Sequence, residues 1–212
     1  MEFLLALGFG IGLSSVAGVR AFLPLALAVL FAALGPFAVP VPYTDPGGWW
    51  IVVGVLVVLA VLEIVLDKIS ALERAFNYAM VPVRMVSGAV LFAAVIATED
   101  PFGRVSAQET LQTWTVPEVV SPLVPWLVVG AAIAGVVAVA KVLLRPPAKT
   151  ASAGVSVAFL SFFEDVVGLV GGALGFFVPY LPLLLVAFVL FFYYRVRRRR
   201  RRKFGGLRIL GD

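Results

Sequence analysis

The feature that most constrains this chain is a series of long apolar runs separated by short polar segments. The first run covers residues 3–41 and is interrupted only by Arg20. Because about 20 apolar residues in a helix span the hydrocarbon core of a bilayer, such runs predict transmembrane helices. The predicted class is therefore an all-α polytopic integral membrane protein. Five further runs follow the first, over residues 49–69, 80–98, 122–144, 153–178 and 180–194.

Composition supports the same class and narrows the chemistry. Hydrophobic residues make up 62% of the chain and charged residues 14%, whereas soluble domains are typically about 45–50% apolar and about 25% charged. Cysteine and histidine are both absent. Their absence excludes thiol redox chemistry, thiolate or imidazole metal sites and histidine acid–base catalysis. We therefore predict that the protein has no cofactor.

The number of spans depends on the first run. Residues 3–41 are too long for one straight span and barely long enough for two, and Pro24 favours a kink or a break. One crossing gives about six spans in total, and a hairpin gives seven. In the first case Arg20 lies deep and must pair with an acid, whereas in the second it lies at the cytoplasmic turn.

Basic residues in the short segments predict the orientation, since Lys and Arg are enriched in cytoplasmic loops. Residues 195–212 are strongly basic and are predicted to form a cytoplasmic tail. Residues 99–121 carry four acids and one arginine and are predicted to lie outside. This outer loop divides the transmembrane domain, residues 1–194, into halves over 1–98 and 122–194.

Four acidic residues lie inside predicted spans. Glu164 lies about 16 Å into its span, near the middle of the core, and Asp165 follows it. Adjacent helical residues point about 100° apart, so we expect these two carboxylates to face different partners. Glu63 and Asp67 share a helix face, where they repel each other unless a proton, a cation or an arginine lies between them.

A charge inside a membrane is costly, usually paired and usually functional. The guanidinium of Arg20 has five donors and can bind two carboxylates at once. Lys68 is a secondary candidate near the inner interface. We predict that five side chains form a polar centre that binds an ion or a substrate: Arg20, Glu63, Asp67, Glu164 and Asp165. Three further cations are predicted to extend their charged ends to water at the cytoplasmic interface: Arg84, Lys141 and Arg145.

The basic run near the C-terminus predicts a partner. A basic segment that adjoins a membrane helix meets anionic lipid more often than nucleic acid, so we expect cytoplasmic-face lipid and no nucleic acid. Small residues spaced like Gly168 and Gly172 indicate close helix packing within one bundle, with a homo-oligomer as the alternative. The residues predicted to contact anionic lipid are Arg195, Arg197, Arg198, Arg199, Arg200, Arg201, Arg202 and Lys203.

The charge pattern also indicates an internal repeat. Each half has a basic residue in its first span, Arg20 or Lys141, and acids in its second. With three spans per half, the second half is inverted relative to the first, as in many transporters. Residue identity between the halves is poor, so this 3+3 repeat rests on the charge pattern alone.

Three segments carry a resemblance to a known family. They are Ala17-Gly-Val-Arg-Ala-Phe-Leu-Pro24, Glu63-x-x-x-Asp-Lys-Ile69 and Glu164-Asp165. From about residue 5 to residue 178, the chain resembles the bacterial membrane proteins catalogued as domain of unknown function 4126. The resemblance implies that these charged residues belong to the family pattern, and it implies no activity. We expect a multi-pass protein of the bacterial inner (plasma) membrane with a cytoplasmic C-terminus.

The deep charges favour one function over two others. We predict a small transporter or channel for an ion or small polar solute, in which the acids bind a cation or carry protons. Arg20 would neutralise one acid or hold an anion. A lipid-handling or scaffold protein is the alternative. An intramembrane enzyme is disfavoured because Asp67 and Asp165 form the only in-span Asp pair and no Gly-x-Gly-Asp segment is present; we expect no enzyme.

Overall fold

The computed structural model describes residues 2–34, 46–69, 72–98, 116–145 and 157–205 of the chain. Within these ranges the chain forms seven helices and no strand, which confirms the predicted all-α class. In chain order they are α1 (Glu2–Val19), α2 (Phe22–Ala33), α3 (Pro46–Lys68), α4 (Glu73–Thr98), α5 (Val116–Leu144), α6 (Val157–Leu174) and α7 (Leu181–Gly205).

Three of these helices are long and apolar enough to cross a membrane. The qualifying segments are Trp50–Lys68 in α3, Ala75–Ile96 in α4 and Leu123–Leu144 in α5. Most large apolar side chains of α3 are exposed, and exposed apolar surface on this scale marks contact with a membrane or a partner. These features indicate membrane association, while the six-span total and the internal repeat stay predictions.

The first apolar run breaks at Arg20 and Ala21. The backbone N–H of Arg20 still donates to the Val16 carbonyl at 2.9 Å, so the α1 hydrogen-bond ladder ends there. Pro24, in the first turn of α2, has no N–H, and its ring would clash with the carbonyl four residues earlier in an unbroken helix. In the first turn of a new helix the same ring is tolerated, since those N–H groups have no intrahelical partner.

The break reverses the direction of the chain and makes α1 and α2 a V-shaped hairpin. Near the start of α1, the Leu4 carbonyl accepts a hydrogen bond from the Tyr180 hydroxyl at 3.0 Å. Near the end of α2, the rings of Phe31 and Phe176 pack edge to face with centroids 5.3 Å apart. Both open ends therefore lie at the connection between α6 and α7. The apex lies beside α6 itself, at a point before this connection, where the side chain of Arg20 packs on Gly168.

Helices α1, α4 and α5 pack closely around small residues. A Cβ atom placed on Gly130 of α5 would lie 2.4 Å from the Gly88 carbonyl oxygen of α4. The Gly88 carbonyl also accepts a hydrogen bond at 2.9 Å from the Ser14 hydroxyl of α1. We call these three helices the frame.

The hairpin arm α2 packs mainly against α3 and α6. Gly172 of α6 permits this approach, because a Cβ there would meet the Leu27 side chain at 2.8 Å. We call α2, α3 and α6 the layer. Helix α7 packs against α6 and α1, where Val186, Val189 and Tyr193 join a buried apolar cluster.

Two predicted boundaries shift in the structure. Helix α5 begins at Val116, inside the segment predicted as an outer loop over residues 99–121; residues 99–115 lie outside the described part of the chain. Helix α7 continues to Gly205, so the segment predicted as a basic tail from residue 195 begins within a helix.

Candidate functional site

Arg20 lies at the apex of the hairpin and is completely buried. Its Nη2 atom lies 2.6 Å from Asp165 Oδ1, 2.9 Å from Asp67 Oδ2 and 3.5 Å from Glu164 Oε2. It also donates a hydrogen bond to the Ser161 hydroxyl at 3.1 Å. The run forms a hairpin, and Arg20 lies at its turn, but the side chain is buried and paired with acids rather than open to solvent. The chain reverses here, and the arginine nevertheless lies inside the protein.

Glu164 and Asp165 both lie within ion-pair distance of Arg20. The expectation that adjacent helical residues must face different partners is therefore wrong for this pair. The Cβ and Cγ atoms of Arg20 lie 3.3 and 3.1 Å from where a Cβ on Gly168 would be. Because Gly168 has no side chain, the arginine stem lies against α6 and its tip reaches between the two acids one turn away.

Glu63 binds the free peptide N–H groups at the start of α2. Its Oε2 atom accepts hydrogen bonds from the backbone N–H of Ala21 at 3.0 Å and of Phe22 at 3.3 Å. The first N–H groups of a helix have no intrahelical partner and attract negative charge. Its other oxygen, Oε1, lies 3.3 Å from Nη2 of Arg84 on α4. The carboxylate therefore joins the hairpin apex to both α3 and α4.

Two carbonyl groups on either side of the apex are also held by side chains. Lys141 Nζ donates to the Val19 carbonyl at 2.9 Å, and the Ser87 hydroxyl donates to the Ala21 carbonyl at 2.6 Å. A buried peptide group without a partner costs about as much as a lost hydrogen bond. The frame thus supplies the partners that the interrupted helix no longer provides for itself.

Asp67 is fully buried and accepts from several elements at once. Besides Arg20, it lies 2.7 Å from Nη1 of Arg145, the residue that follows α5, and accepts hydrogen bonds from Asn77 of α4 at 2.7 Å and Ser161 of α6 at 3.0 Å. An ionised carboxylate can accept about four hydrogen bonds. Asp67 is therefore bound by four elements of the bundle.

The three cations predicted to reach water are instead buried, so that prediction is wrong for Arg84, Lys141 and Arg145. Lys141 Nζ lies 2.8 Å from Glu164 Oε2, and Arg145 Nη1 lies 3.2 Å from the same atom. Charge balance could have revealed them. Four in-span acids require more compensation than the single arginine that we predicted to be deep.

The buried charges are balanced and segregated by position. Among the described residues, two of the four cations lie on the frame, Arg84 and Lys141, and the other two directly follow frame helices, Arg20 after α1 and Arg145 after α5; the four carboxylates lie on α3 and α6 of the layer. The ion pairs therefore join the two groups of helices across one interface. All five residues of the predicted polar centre meet there: Arg20, Glu63, Asp67, Glu164 and Asp165.

One edge of this centre is accessible. The side chain of Asp165 is 16% exposed, and Lys68 Nζ, 3.3 Å from its Oδ2 atom, belongs to a side chain that is 45% exposed. Lys68 and Asp165 therefore form the exposed edge of the centre.

Tyr193 on α7 is a further member that the sequence did not reveal, because a tyrosine near the end of an apolar run is typical of the membrane interface. It is completely buried and its hydroxyl donates to Glu164 Oε1. Within the described part of the chain, no three acidic side chains group as metal ligands. Each carboxylate instead faces a cation or a peptide N–H group.

Replacing Tyr193 with phenylalanine is expected to lower the free energy of unfolding by about 1–2 kcal/mol, because a buried charged acceptor loses a donor. Thermal unfolding in detergent micelles would measure the change. Tyr194→Phe is the matched control, since its side chain is 48% exposed. Equal unfolding temperatures for the two variants would contradict the assigned hydrogen bond.

The residues predicted to contact lipid lie at the end of α7. Arg195 and Arg198 are exposed, and Arg197 donates to the Leu143 carbonyl of α5. The remaining side chains lie outside the described part of the chain: Arg199, Arg200, Arg201, Arg202 and Lys203.

The fold and the site define a class: a membrane-associated helical protein with a buried, charge-balanced centre at a broken helix. A family model described as a domain of unknown function, DUF4126, matches residues 7–199. The chain belongs to this family, which confirms the resemblance and extends it through most of α7. Neither the curated proteins nor the solved structures contain a match to this chain.

Proposed function

We propose that the protein is a small transporter for an ion or small polar solute in the bacterial inner membrane, with its basic C-terminus on the cytoplasmic side. The observation that carries this proposal is the interface between frame and layer. Four buried cations on one side face four carboxylates on the other, beside a broken helix.

The broken helix supports transport in particular. Helices interrupted at membrane depth occur in transporters where free peptide groups and charged side chains line a binding site. The apex at Arg20 resembles such a break because charged side chains converge on its peptide groups: Glu63 accepts from the N–H groups and Lys141 donates to a carbonyl. The proposed inverted repeat would place Arg20 and Lys141 in related positions of the two halves.

A purely stabilising role accounts less well for the same residues. Replacing a buried ion pair with well-packed apolar side chains is often neutral or stabilising, so stability alone does not require the seven buried charges and the partly exposed Asp165 found among the described residues. Charges inside a membrane protein usually mark ion or substrate pathways. The cost of burying them is more readily explained by a function that uses them.

The shared ion pairs provide a mechanism. Glu164 Oε2 lies within 3.5 Å of three different cationic nitrogens, and Asp67 pairs with two arginines. A proton or an ion that neutralises one partner frees another to pair elsewhere. Two arrangements of similar energy would then let the layer shift against the frame and open the centre to alternate sides.

The proposed orientation also implies a lipid partner for the basic end of α7. Anionic lipid would bind the basic end of α7 at the cytoplasmic face, and the protein would carry out no catalytic step. A lipid-handling or scaffold role is the competing function. It requires the exposed arginines of α7 and makes no use of the buried centre.

Reconstitution into liposomes tests the proposal. Vesicles containing a pH-sensitive dye would be given gradients of protons, potassium chloride and potassium formate in turn. Wild-type protein is expected to dissipate at least one gradient. Asp165→Asn, chosen because this carboxylate lies at the accessible edge, is expected to slow that flux by about tenfold or more.

Tyr78→Phe is the control for this experiment, because it removes an exposed polar group outside the charged centre. It should retain wild-type flux. Wild-type vesicles that leak no faster than empty vesicles for every gradient would refute the proposal. So would an unchanged flux in a folded Asp165→Asn protein.

A further inference from the structure

The two arginines that contact the carboxylates through Nη2 have further donors without a partner. Within the described part of the chain, the Nε and Nη1 atoms of Arg20 and Arg84 are buried and make no hydrogen bond. All the ion pairs and hydrogen bonds of Arg20 described above use Nη2, and so do those of Arg84 with Glu63 and Asn77. The uncommitted atoms of both side chains are therefore N–H donors.

The two arginines lie close together, because two short bridges connect them, the first through the Nη2 atom of each. In the first bridge, Arg84 donates to Asn77 at 3.1 Å, Asn77 donates to Asp67 at 2.7 Å, and Asp67 lies 2.9 Å from Arg20. In the second, Glu63 lies between Arg84 and the peptide N–H that follows Arg20. The two guanidinium groups thus flank the same stretch of α3.

We propose that the site binds a small monovalent oxyanion, such as a carboxylate or nitrate, on the free N–H groups of Arg20 and Arg84. A buried N–H group without an acceptor is costly, and guanidinium groups match the geometry of oxyanions. A cation would meet only donors on these two side chains.

The charge of the site favours the same class of ligand. The four buried cations and four carboxylates cancel, and Lys68 at the accessible edge adds one positive charge. A monovalent anion therefore brings the centre to neutrality. A monovalent cation would instead add to the net positive charge of the centre, and a charge held among its buried side chains is costly unless it is paired.

Among the described residues, one buried side-chain acceptor of the centre also lacks a hydrogen bond, and it does not change this conclusion. Asp165 Oδ1 also lacks a hydrogen bond, but it lies 2.6 Å from Arg20 Nη2 and is compensated by that ion pair. Its position between Arg20 and Lys68 places it where an entering anion would compete for the same cations. The Asp165 carboxylate is thus the group that the ligand would displace from these cations.

This inference rests on the proposed function for its role in transport, but its test measures binding without flux. Purified protein in an uncharged detergent would be unfolded by heat while its tryptophan fluorescence is recorded. Potassium formate and potassium nitrate are compared with potassium chloride at equal potassium concentration. Formate and nitrate are expected to raise the unfolding temperature in a saturable way and chloride to raise it less.

Arg84→Lys keeps the positive charge and removes the guanidinium donors. Its affinity for formate, measured by calorimetry, is expected to fall by about tenfold or more, whereas the exposed control Arg198→Lys keeps wild-type affinity. The wild-type series decides the question even if Arg84→Lys does not fold. Equal effects of all three salts, or stabilisation that follows the cation, would overturn the inference.

The outcomes separate this inference from the proposed function. Flux in liposomes without oxyanion binding would overturn the ligand class and leave transport in place. Oxyanion binding to a protein that shows no flux would support the site and count against transport.

Discussion

Replacing Asp67 with asparagine is expected to destabilise the protein by about 3–5 kcal/mol, the usual cost of removing one partner from a buried ion pair. Arg20 and Arg145 would both remain buried with less compensating charge, since Asp67 lies 2.9 and 2.7 Å from their nitrogens. Chemical unfolding in mixed micelles and the yield of folded protein after membrane extraction would measure the loss.

A second substitution distinguishes charge imbalance from altered shape. Combining Asp67→Asn with Arg145→Gln removes one charge of each sign, so the double variant should lose less stability than the sum of the single losses. Lys68→Gln is the control, because this ammonium is 45% exposed and its loss should cost within about 0.5 kcal/mol. Additive losses in the double variant would argue against a shared network.

The class of the fold was readable from the sequence because it depends on composition and run length, which are local properties. The long apolar segments in α3, α4 and α5 are enough to identify helices that can cross a membrane. The path of the first run was not readable. Pro24 indicates a break, but only contacts with α6 and with the α6–α7 connection determine that the chain reverses and that the apex lies inside the protein.

The candidate site was predicted in part for a similar reason. Its acids lie within apolar runs, so their depth could be estimated from the sequence. Arg84, Lys141 and Arg145 lie nearer to the ends of runs, where long side chains usually reach water. Their burial depends on which helices pack together, and the sequence of a single span does not show its packing partners.

The segregation of charge between frame and layer has the same origin. The sequence shows the sign of charge in single spans, such as the two acids and no cation of α6, but it does not show which spans pack together. The segregation arises because α1, α4 and α5 pack together through small residues, while α2 packs against α3 and α6. This arrangement concentrates opposite charges at a single interface, which is where a shift between two groups of helices would break and remake contacts.

The proposed mechanism requires a rigid frame, and Gly130 provides its clearest test. A Cβ on this residue would lie 2.4 Å from the Gly88 carbonyl oxygen and 2.5 Å from the Phe92 Cβ. Neither atom can rotate away as the end of a flexible side chain could. Gly130→Ala is therefore expected to force α4 and α5 apart and cost about 3 kcal/mol of stability, the upper part of the usual range for overpacking.

Gly54→Ala provides the matched control for Gly130→Ala, because it makes the same chemical change on the exposed face of α3. A Cβ on Gly54 meets no atom within 4 Å, and alanine favours the helix by up to about 1 kcal/mol. This variant should unfold at the wild-type temperature or slightly above it, whereas Gly130→Ala should unfold well below. If both variants were equally stable, α4 and α5 would not be in close contact, and the layer would have no fixed frame to move against.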